Sequence, residues 1–354
     1  MANKIAIPSA AILLCLPHWA SAQSSVTLYG VLDASLLYTS RNVGAVPGQN
    51  AGKQFSIIDS GQAPSQFGLR GTEDIGGGLK AQFALESGIS VANGGFNSSN
   101  GNLFGRQAWI GLDGAFGNAK FGLQYSPFFL TLYDLDPRGL SLFGSSLLPY
   151  VGAVAATGVF NTNALSYTSP TIAGFQGSVM FAPGGVPGDF RAGRQYSASL
   201  KYDNGSLLAE ASIYDSNAGG VQTPVPSDTQ FEGRMLGAGY RFGKLTVKAS
   251  FVNYKVAGSF NSNVYGGGVD YVLTPSIDLN GGAWYSKDRN NSNNHSLLGA
   301  LGANYFLSKA TTLYTQVAIV NNHGAMNTGL ATNGGTAVAP GTTTGVNIGI
   351  KHTF

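Results

Sequence analysis

The amino-acid sequence predicts an all-β protein, a transmembrane antiparallel β-barrel of sixteen strands. Three observations support this prediction: side-chain polarity that alternates every two residues, short turns that alternate with long loops, and an N-terminal export signal. Charged residues make up only 10% of the chain, against roughly 25% in ordinary soluble proteins. This low charge fits an outer surface that contacts lipid.

The first 22 residues have the composition of a cleaved signal peptide. Lys4 supplies a positive charge, residues 5–16 are apolar, and Ala20-Ser21-Ala22 forms a cleavage site. The apolar stretch is too short for a membrane anchor, because a spanning helix needs roughly 20 apolar residues. We therefore expect residues 1–22 to be removed and residues 23–354 to form one barrel domain in the bacterial outer membrane.

Strand-like segments recur along the rest of the chain. In the first of them, Val26, Leu28 and Leu32 alternate with Thr27 and Asp33. In a membrane barrel the apolar face meets lipid and the polar face lines the lumen. Sixteen such segments begin near residues 24, 64, 78, 103, 117, 163, 174, 194, 206, 234, 244, 263, 276, 295, 311 and 343.

The connections between these segments alternate between short and long. Asn204-Gly205 is a strong signal for a tight hairpin turn. Long Gly/Asn/Ser-rich connections include residues 41–63, 89–102, 218–233 and 323–342. One rim of short periplasmic turns and one rim of long extracellular loops is the layout of outer-membrane barrels. An even number of strands closes the sheet, so no open edge meets lipid.

The third long loop, residues 127–161, is too apolar for a loop exposed to water. Long connections without regular structure are usually functional or disordered, and this composition argues against disorder. We expect the loop to fold into the barrel with its apolar side chains on the inner wall. Asp134, Asp136 and Arg138 would then face the passage. The alternative is a plug or a contact loop between copies, with incidental charges.

Strand alternation places many ionisable side chains on the lumenal face, because Arg or Lys facing lipid costs ~2–4 kcal/mol near the midplane. The basic ones are Arg70, Lys80, Lys120, Lys201, Arg241, Lys248 and Lys351, and the acidic ones are Asp33, Glu86, Asp203, Glu210, Asp270 and Asp278. Arg106 shares the alternation of the apolar residues Ala108 and Ile110. It therefore lies either in the lumen, against the pattern, or at the membrane interface.

Several motifs resemble those of the trimeric sixteen-stranded general diffusion porins of Gram-negative bacteria, over essentially the whole mature chain. These motifs are SVTLYGVLD (25–33), SQFGLRGTEDIGGGLKA (65–81), GRQAWIGL (105–112) and the terminal KHTF (351–354). The resemblance implies a homotrimer embedded in the lipid bilayer and in contact with lipopolysaccharide. It further implies passive diffusion of small hydrophilic solutes and ions through a water-filled channel. Phe354 matches the terminal aromatic residue that the barrel-assembly machinery reads.

The chain departs from this family on the wall opposite the third loop. Gln66 and Ser166 stand where family members commonly carry basic residues. We therefore expect weak ion selectivity, mildly cationic through Asp134 and Asp136. The predicted pore-lining wall comprises Asp33, Gln66, Arg70, Lys80, Glu86, Arg106, Lys120 and Ser166.

Two other functions compete with a general channel. One is a channel specific for one class of solute. The other is a barrel hydrolase, which needs a serine–histidine arrangement. His295 and His323 fall in predicted loops and His352 on a lipid-facing position, so we predict no catalytic residues. We also expect no metal site and no cofactor. Lys and Arg total 20 against 17 Asp and Glu, which leaves no basic footprint for nucleic acid.

Overall fold

The computed structural model describes residues 25–44, 46, 49–220, 229–338 and 340–354. The expected signal peptide, residues 1–22, lies outside the described residues. The strands are β1 (Ser25–Thr39), β2 (Gln54–Asp59), β3 (Gln66–Gly76), β4 (Leu79–Gly88), β5 (Gln107–Gly114), β6 (Gly117–Gln124), β7 (Asn161–Thr168), β8 (Phe175–Ala182), β9 (Gln195–Asp203), β10 (Leu207–Ser216), β11 (Phe231–Phe242), β12 (Leu245–Val256), β13 (Asn261–Thr274), β14 (Ile277–Asp288), β15 (His295–Phe306), β16 (Thr311–His323) and β17 (Gly341–Thr353). Two helices, α1 (Pro127–Leu135) and α2 (Leu147–Val154), lie between β6 and β7.

The strands form one antiparallel sheet that closes into a barrel. β1 pairs with β17 along one edge, and with β3 and then β2 along the other. Because β2 and β3 share one edge of β1, the 17 strand segments occupy sixteen positions around the barrel. The predicted sixteen-stranded closed barrel is confirmed. Among the strands that the structure describes, closure leaves no unpaired sheet edge, as lipid requires.

The second barrel position is split into two strands, a feature that side-chain alternation does not predict. β2 lies inside the stretch 41–63 that was expected to be a loop. The split arises because the Asp33 carboxylate accepts hydrogen bonds from the backbone N–H groups of Gly61 (3.1 Å), Gln62 (3.0 Å) and Ala63 (2.7 Å). A buried carboxylate holding three donors bends the chain away from a regular ladder.

The two faces of the barrel wall differ in chemistry as the alternation predicts. On the outer face, Leu36, Ile213 and Leu301 are each more than half exposed. On the inner face of the same strands, side chains such as Asp33 and Tyr214 are buried. The outer apolar face therefore meets lipid, and the lumen holds the polar side chains.

The two helices of the third loop pack inside the barrel. Ser126 caps α1, since its Oγ accepts from the N–H of Phe129 at 3.1 Å. The ring of Phe128 is fully buried among Tyr214, Phe231 and Tyr254, at centroid distances of 6.2, 6.4 and 6.3 Å. α1 thus covers the inner faces of β9–β12. Among the described residues, neither helix has the length and hydropathy needed to cross a membrane.

Because the outer face of β15 meets lipid, a charged side chain there should destabilise the barrel more at the middle of the membrane than near its surface. Leu301 lies at the middle of β15 and Leu297 near its extracellular end, both on the outer face. We expect Leu301→Arg to lower the free energy of unfolding by about 2–4 kcal/mol, and Leu297→Arg by about 0–1 kcal/mol. Denaturant unfolding of the barrel in lipid vesicles measures both. Equal costs for the two variants would contradict the assignment.

Candidate functional site

A cavity of about 670 Å³ lies in the lumen between the third loop and the opposite wall. We call this cavity the passage. From the loop it is lined by Tyr133, Pro137, Arg138, Leu140 and Leu142, and from the wall by Gln66, Arg106, Lys248, Asp270, Asp278 and Lys351. Apart from Arg138, these loop side chains are mostly apolar, whereas those of the wall are charged or amide side chains.

Asp136 does not face the passage, so that part of the sequence prediction is wrong. Its side chain is 1% exposed. The carboxylate accepts from the N–H groups of Arg138 (2.7 Å) and Leu140 (3.0 Å), and from the N–H (2.8 Å) and Oγ (2.6 Å) of Ser146. An aspartate at a chain reversal readily captures nearby backbone donors. Asp136 therefore shapes the tip of the loop instead of lending charge to the lumen.

Arg138 joins the loop tip to the far wall. Its guanidinium donates to Oδ1 of Asn280 on β14 (2.9 Å) and to Oε1 of Gln316 on β16 (2.6 Å). It also donates to the carbonyl oxygens of Phe143 and Gly144. Burial lowers the pKa of the Arg138 guanidinium to about 10, an effect that the nearby Asp136 carboxylate opposes. The group stays cationic at neutral pH and lines one side of the passage.

Asp134 anchors α1 to the opposite side of the barrel. Its Oδ2 lies 2.7 Å from Nζ of Lys201 on β9, and both side chains stay partly exposed. One turn earlier, the Thr131 hydroxyl donates to Oε1 of Glu210 on β10 at 2.8 Å. The charge of Asp134 is therefore balanced locally by Lys201.

Arg106 lies in the lumen, which resolves the two alternatives that the sequence left open. Strand β5 begins only at Gln107, so the strand alternation does not apply to Arg106. Its Nε lies 2.9 Å from Oε1 of Glu86, and both side chains are buried. Nη2 of Arg106 also donates to the Tyr125 hydroxyl at 2.9 Å. A buried ion pair of this kind keeps its geometry because separating the two charges would leave each one buried without a partner.

The remaining predicted wall residues differ in where they lie. Gln66 lines the passage and donates to Oε2 of Glu86 at 3.1 Å. Ser166 donates to Oε1 of Gln124 at 2.5 Å, and neither of these two residues lines the passage. Asp33 is fully buried beneath the split strand.

Three further predicted residues lie on the periplasmic side of the Glu86–Arg106 pair. Arg70 and Lys120 contact aromatic rings there, and in the strand register Lys80 lies opposite Asp74 of β3 and Asp113 of β5.

Strand alternation predicts that four charged residues lie on the lumenal face, and the structure places them at the passage: Lys248, Lys351, Asp270 and Asp278. Alternation predicts which way a side chain points, and not its height in the barrel. Lys248 shows the difference, because its Nζ donates to the backbone carbonyl of Asp136 at 3.0 Å and so lies at the loop tip.

Two histidines that were predicted to lie in loops lie at the ends of strands instead. His295 begins β15 and His323 ends β16, so the prediction that both lie in loops is wrong. They are cross-strand partners whose rings stack at 4.4 Å. His352 lies on β17 beside the Thr311 hydroxyl, at 2.9 Å. In the part of the chain that the structure describes, no three His, Cys, Asp or Glu side chains could together hold a metal ion.

The role of Asp136 in the loop tip leads to a prediction. Asp136→Ala leaves several buried donors without an acceptor, so we expect the free energy of unfolding to fall by about 2 kcal/mol. We also expect rapid current fluctuations in single-channel recordings, because the tip is no longer held in one conformation. The matched control, Asp134→Ala, removes one partly exposed ion pair and should cost at most about 1 kcal/mol. Quiet currents from Asp136→Ala would contradict this role.

Comparison with known proteins identifies the family. A family model described as Gram-negative porin matches residues 9–325. Outer membrane porin protein 32 of Delftia acidovorans is 31% identical, with 95% of each chain covered. An outer membrane porin protein of Bordetella pertussis is 29% identical over 99% of this chain and 100% of its own length.

Solved porin structures share the fold of this chain. An anion-selective porin from Comamonas acidovorans superposes with a TM-score of 0.80 at 28% identity, covering 94% of this chain and 100% of that one. OmpT of Vibrio cholerae shares the fold, with a TM-score of 0.67 at 15% identity over 94% of this chain and 99% of that one. The chain belongs to the Gram-negative porin family, and it is an outer-membrane channel protein with a closed sixteen-stranded barrel.

Proposed function

We propose that the third loop sets the width of this channel, and that small hydrophilic solutes and ions diffuse passively through the passage. The observation that supports the proposal is the pair of anchors at opposite sides of the lumen. α1 packs on β9–β12, and Arg138 bonds to β14 and β16. A loop that is attached to both sides of a barrel divides the cross-section of the lumen, and the channel becomes narrower there.

We further propose that the passage prefers anions over cations. Asp134 is balanced by Lys201 and Asp136 is buried, so neither supports the mild cation preference expected from the sequence. Glu86 balances Arg106. The remaining charges that line the passage are Arg138, Lys248 and Lys351 against Asp270 and Asp278. The sign balance of a narrow pore sets its ion preference. The similar porin from Comamonas acidovorans is described as anion-selective.

Reversal potentials across a planar bilayer in a KCl gradient test this preference. We expect chloride to be more permeant than potassium in the wild type. Replacing Lys248 and Lys351 together by Gln should shift the reversal potential toward potassium, whereas Asp270→Asn with Asp278→Asn should shift it toward chloride. Lys309→Gln, in an exposed periplasmic turn, is the control and should leave it unchanged. A wild-type preference for potassium would contradict the proposal.

We propose that three copies of the chain associate through their lipid-facing walls. The extracellular half of β1 and the adjoining β2 expose a joined apolar patch, in which Leu36 lies opposite Ile57, and Tyr38 lies 4.8 Å from Phe55 between ring centroids. Phe55 and Ile57 are 75% and 71% exposed. Large exposed apolar patches commonly mark interaction surfaces.

Native mass spectrometry of the detergent-extracted protein tests this association. We expect a trimer from the wild type and a shift toward monomer in Phe55→Glu with Ile57→Glu. Leu297→Glu, on the outer face of β15, is the matched control and should keep the trimer. A monomeric wild type would refute the trimer, and an undisturbed trimer in the double variant would exclude this patch as its interface.

We propose that export removes residues 1–22 and that the C-terminal residue carries the assembly signal. The backbone N–H and carbonyl of Phe354 bond to Gly30 at 3.1 and 3.0 Å, which closes the barrel at its periplasmic rim. The Phe354 side chain remains half exposed. An aromatic ring in this position is available to the barrel-assembly machinery. The outer face then contacts lipid and lipopolysaccharide.

A further inference from the structure

A recess of about 490 Å³ opens on the lumenal wall, on the periplasmic side of the Glu86–Arg106 pair. We call it the wall recess. Cross-strand pairing places Ala84 between Arg70 and Trp109, because Ala84 pairs with Arg70 on one side and with Trp109 on the other. The small side chain of Ala84 forms a floor between two large neighbours. The recess therefore has the width of two strand spacings, roughly 10 Å.

Arg70 and two aromatic rings, Tyr29 and Trp109, border this recess, and a second cation, Lys120, lies against the Trp109 ring. The guanidinium carbon of Arg70 lies 5.2 Å from the ring centroid of Tyr29. Nζ of Lys120 lies 4.4 Å from the ring centroid of Trp109. Such contacts fix the position of a flexible cationic side chain and keep its charge near the ring face.

The wall recess carries an excess of positive charge. Among the described residues, neither Arg70 nor Lys120 has a carboxylate within ion-pair distance. Glu86 borders the recess, but Arg106 balances its charge at 2.9 Å and the Tyr29 hydroxyl donates to it at 3.0 Å. An anion that enters the recess therefore meets the Arg70 guanidinium, which no carboxylate pairs, with the Lys120 ammonium nearby on the Trp109 ring.

We propose that the wall recess is a low-affinity binding site for aromatic carboxylates that have passed the constriction. The carboxylate would bond to the Arg70 guanidinium, whose planar fork matches it. The ring would lie over Ala84 against Trp109, where an offset aromatic contact stabilises it. Chloride gains nothing from the two rings, whereas an aromatic acid uses both the charge and the aromatic wall. This inference rests on the proposed diffusion function.

A weak site in this position affects transport. Conduction through a pore requires that binding be strong enough to favour entry and weak enough to allow release. A shallow recess that is open to the lumen meets both conditions. Aromatic acids would thus occupy the wall long enough to hinder chloride, and would then leave toward the periplasm.

Chloride current through single channels measures this occupancy. Sodium benzoate and sodium cyclohexanecarboxylate, added on the short-turn side, have the same charge and similar size but differ in aromaticity. We expect benzoate to reduce the chloride current at about fivefold lower concentration, as one aromatic contact predicts. Trp109→Leu should abolish this difference, and Arg70→Gln should weaken the effect of both acids. The control variant Tyr265→Leu lies on the lipid face and should behave as wild type.

The outcomes separate this inference from the channel itself. Equal effects of the two acids on the wild type would overturn the aromatic site, and so would a difference that survives in Trp109→Leu. Arg70→Gln alters an exposed side chain, so it tests the same site if Trp109→Leu fails to fold. Chloride conductance without organic acid reports the diffusion function separately.

Discussion

The buried guanidinium of Arg138 joins the third loop to the far wall, and the geometry of the passage depends on this junction. Its partners are two amide side chains of the wall and two carbonyl oxygens of the loop. Neutral acceptors satisfy the donors without cancelling the positive charge. Asp136 supports the junction from behind by holding the tip of the loop in one conformation. Arg138 therefore determines both where the tip of the third loop lies and the positive charge that lines the passage there.

The barrel wall has two inner surfaces that make this arrangement possible. The inner faces of β10–β12 carry aromatic residues such as Tyr214, Phe231 and Tyr254, and α1 covers them. The inner faces of β14–β17 keep polar and charged side chains that bond to Arg138 or border the passage. Apolar packing thus attaches the loop to one part of the wall, and the polar surface remains open to solutes. The Glu86–Arg106 pair lies between the passage and the wall recess, so a solute meets them one after the other.

The sequence alone predicted the barrel well because a two-residue alternation and tight turns are local signals. It located the strand segments and the faces of their side chains, and the family motifs gave the class of channel. It could not predict β2, because the split depends on Asp33 holding N–H groups about thirty residues away. It misplaced Asp136 because a charged residue in a loop can either face water or collect backbone donors, and only the folded turn decides. Height in the barrel depends on strand register, so alternation did not separate Lys248 from Lys120.

The central claim is that the third loop, held across the lumen, sets the width of the channel. Residues 136 and 146 are in contact through the Asp136 carboxylate and the Ser146 N–H at 2.8 Å. Residues 137–145, which include Arg138, can therefore be replaced by a short Gly-Ser linker between two residues that already lie close together. The most direct test is the single-channel conductance of this variant in KCl, together with the largest sugar that it admits in liposome swelling. We expect a higher conductance and a larger size limit than in the wild type. The same conductance and the same size limit would contradict the account.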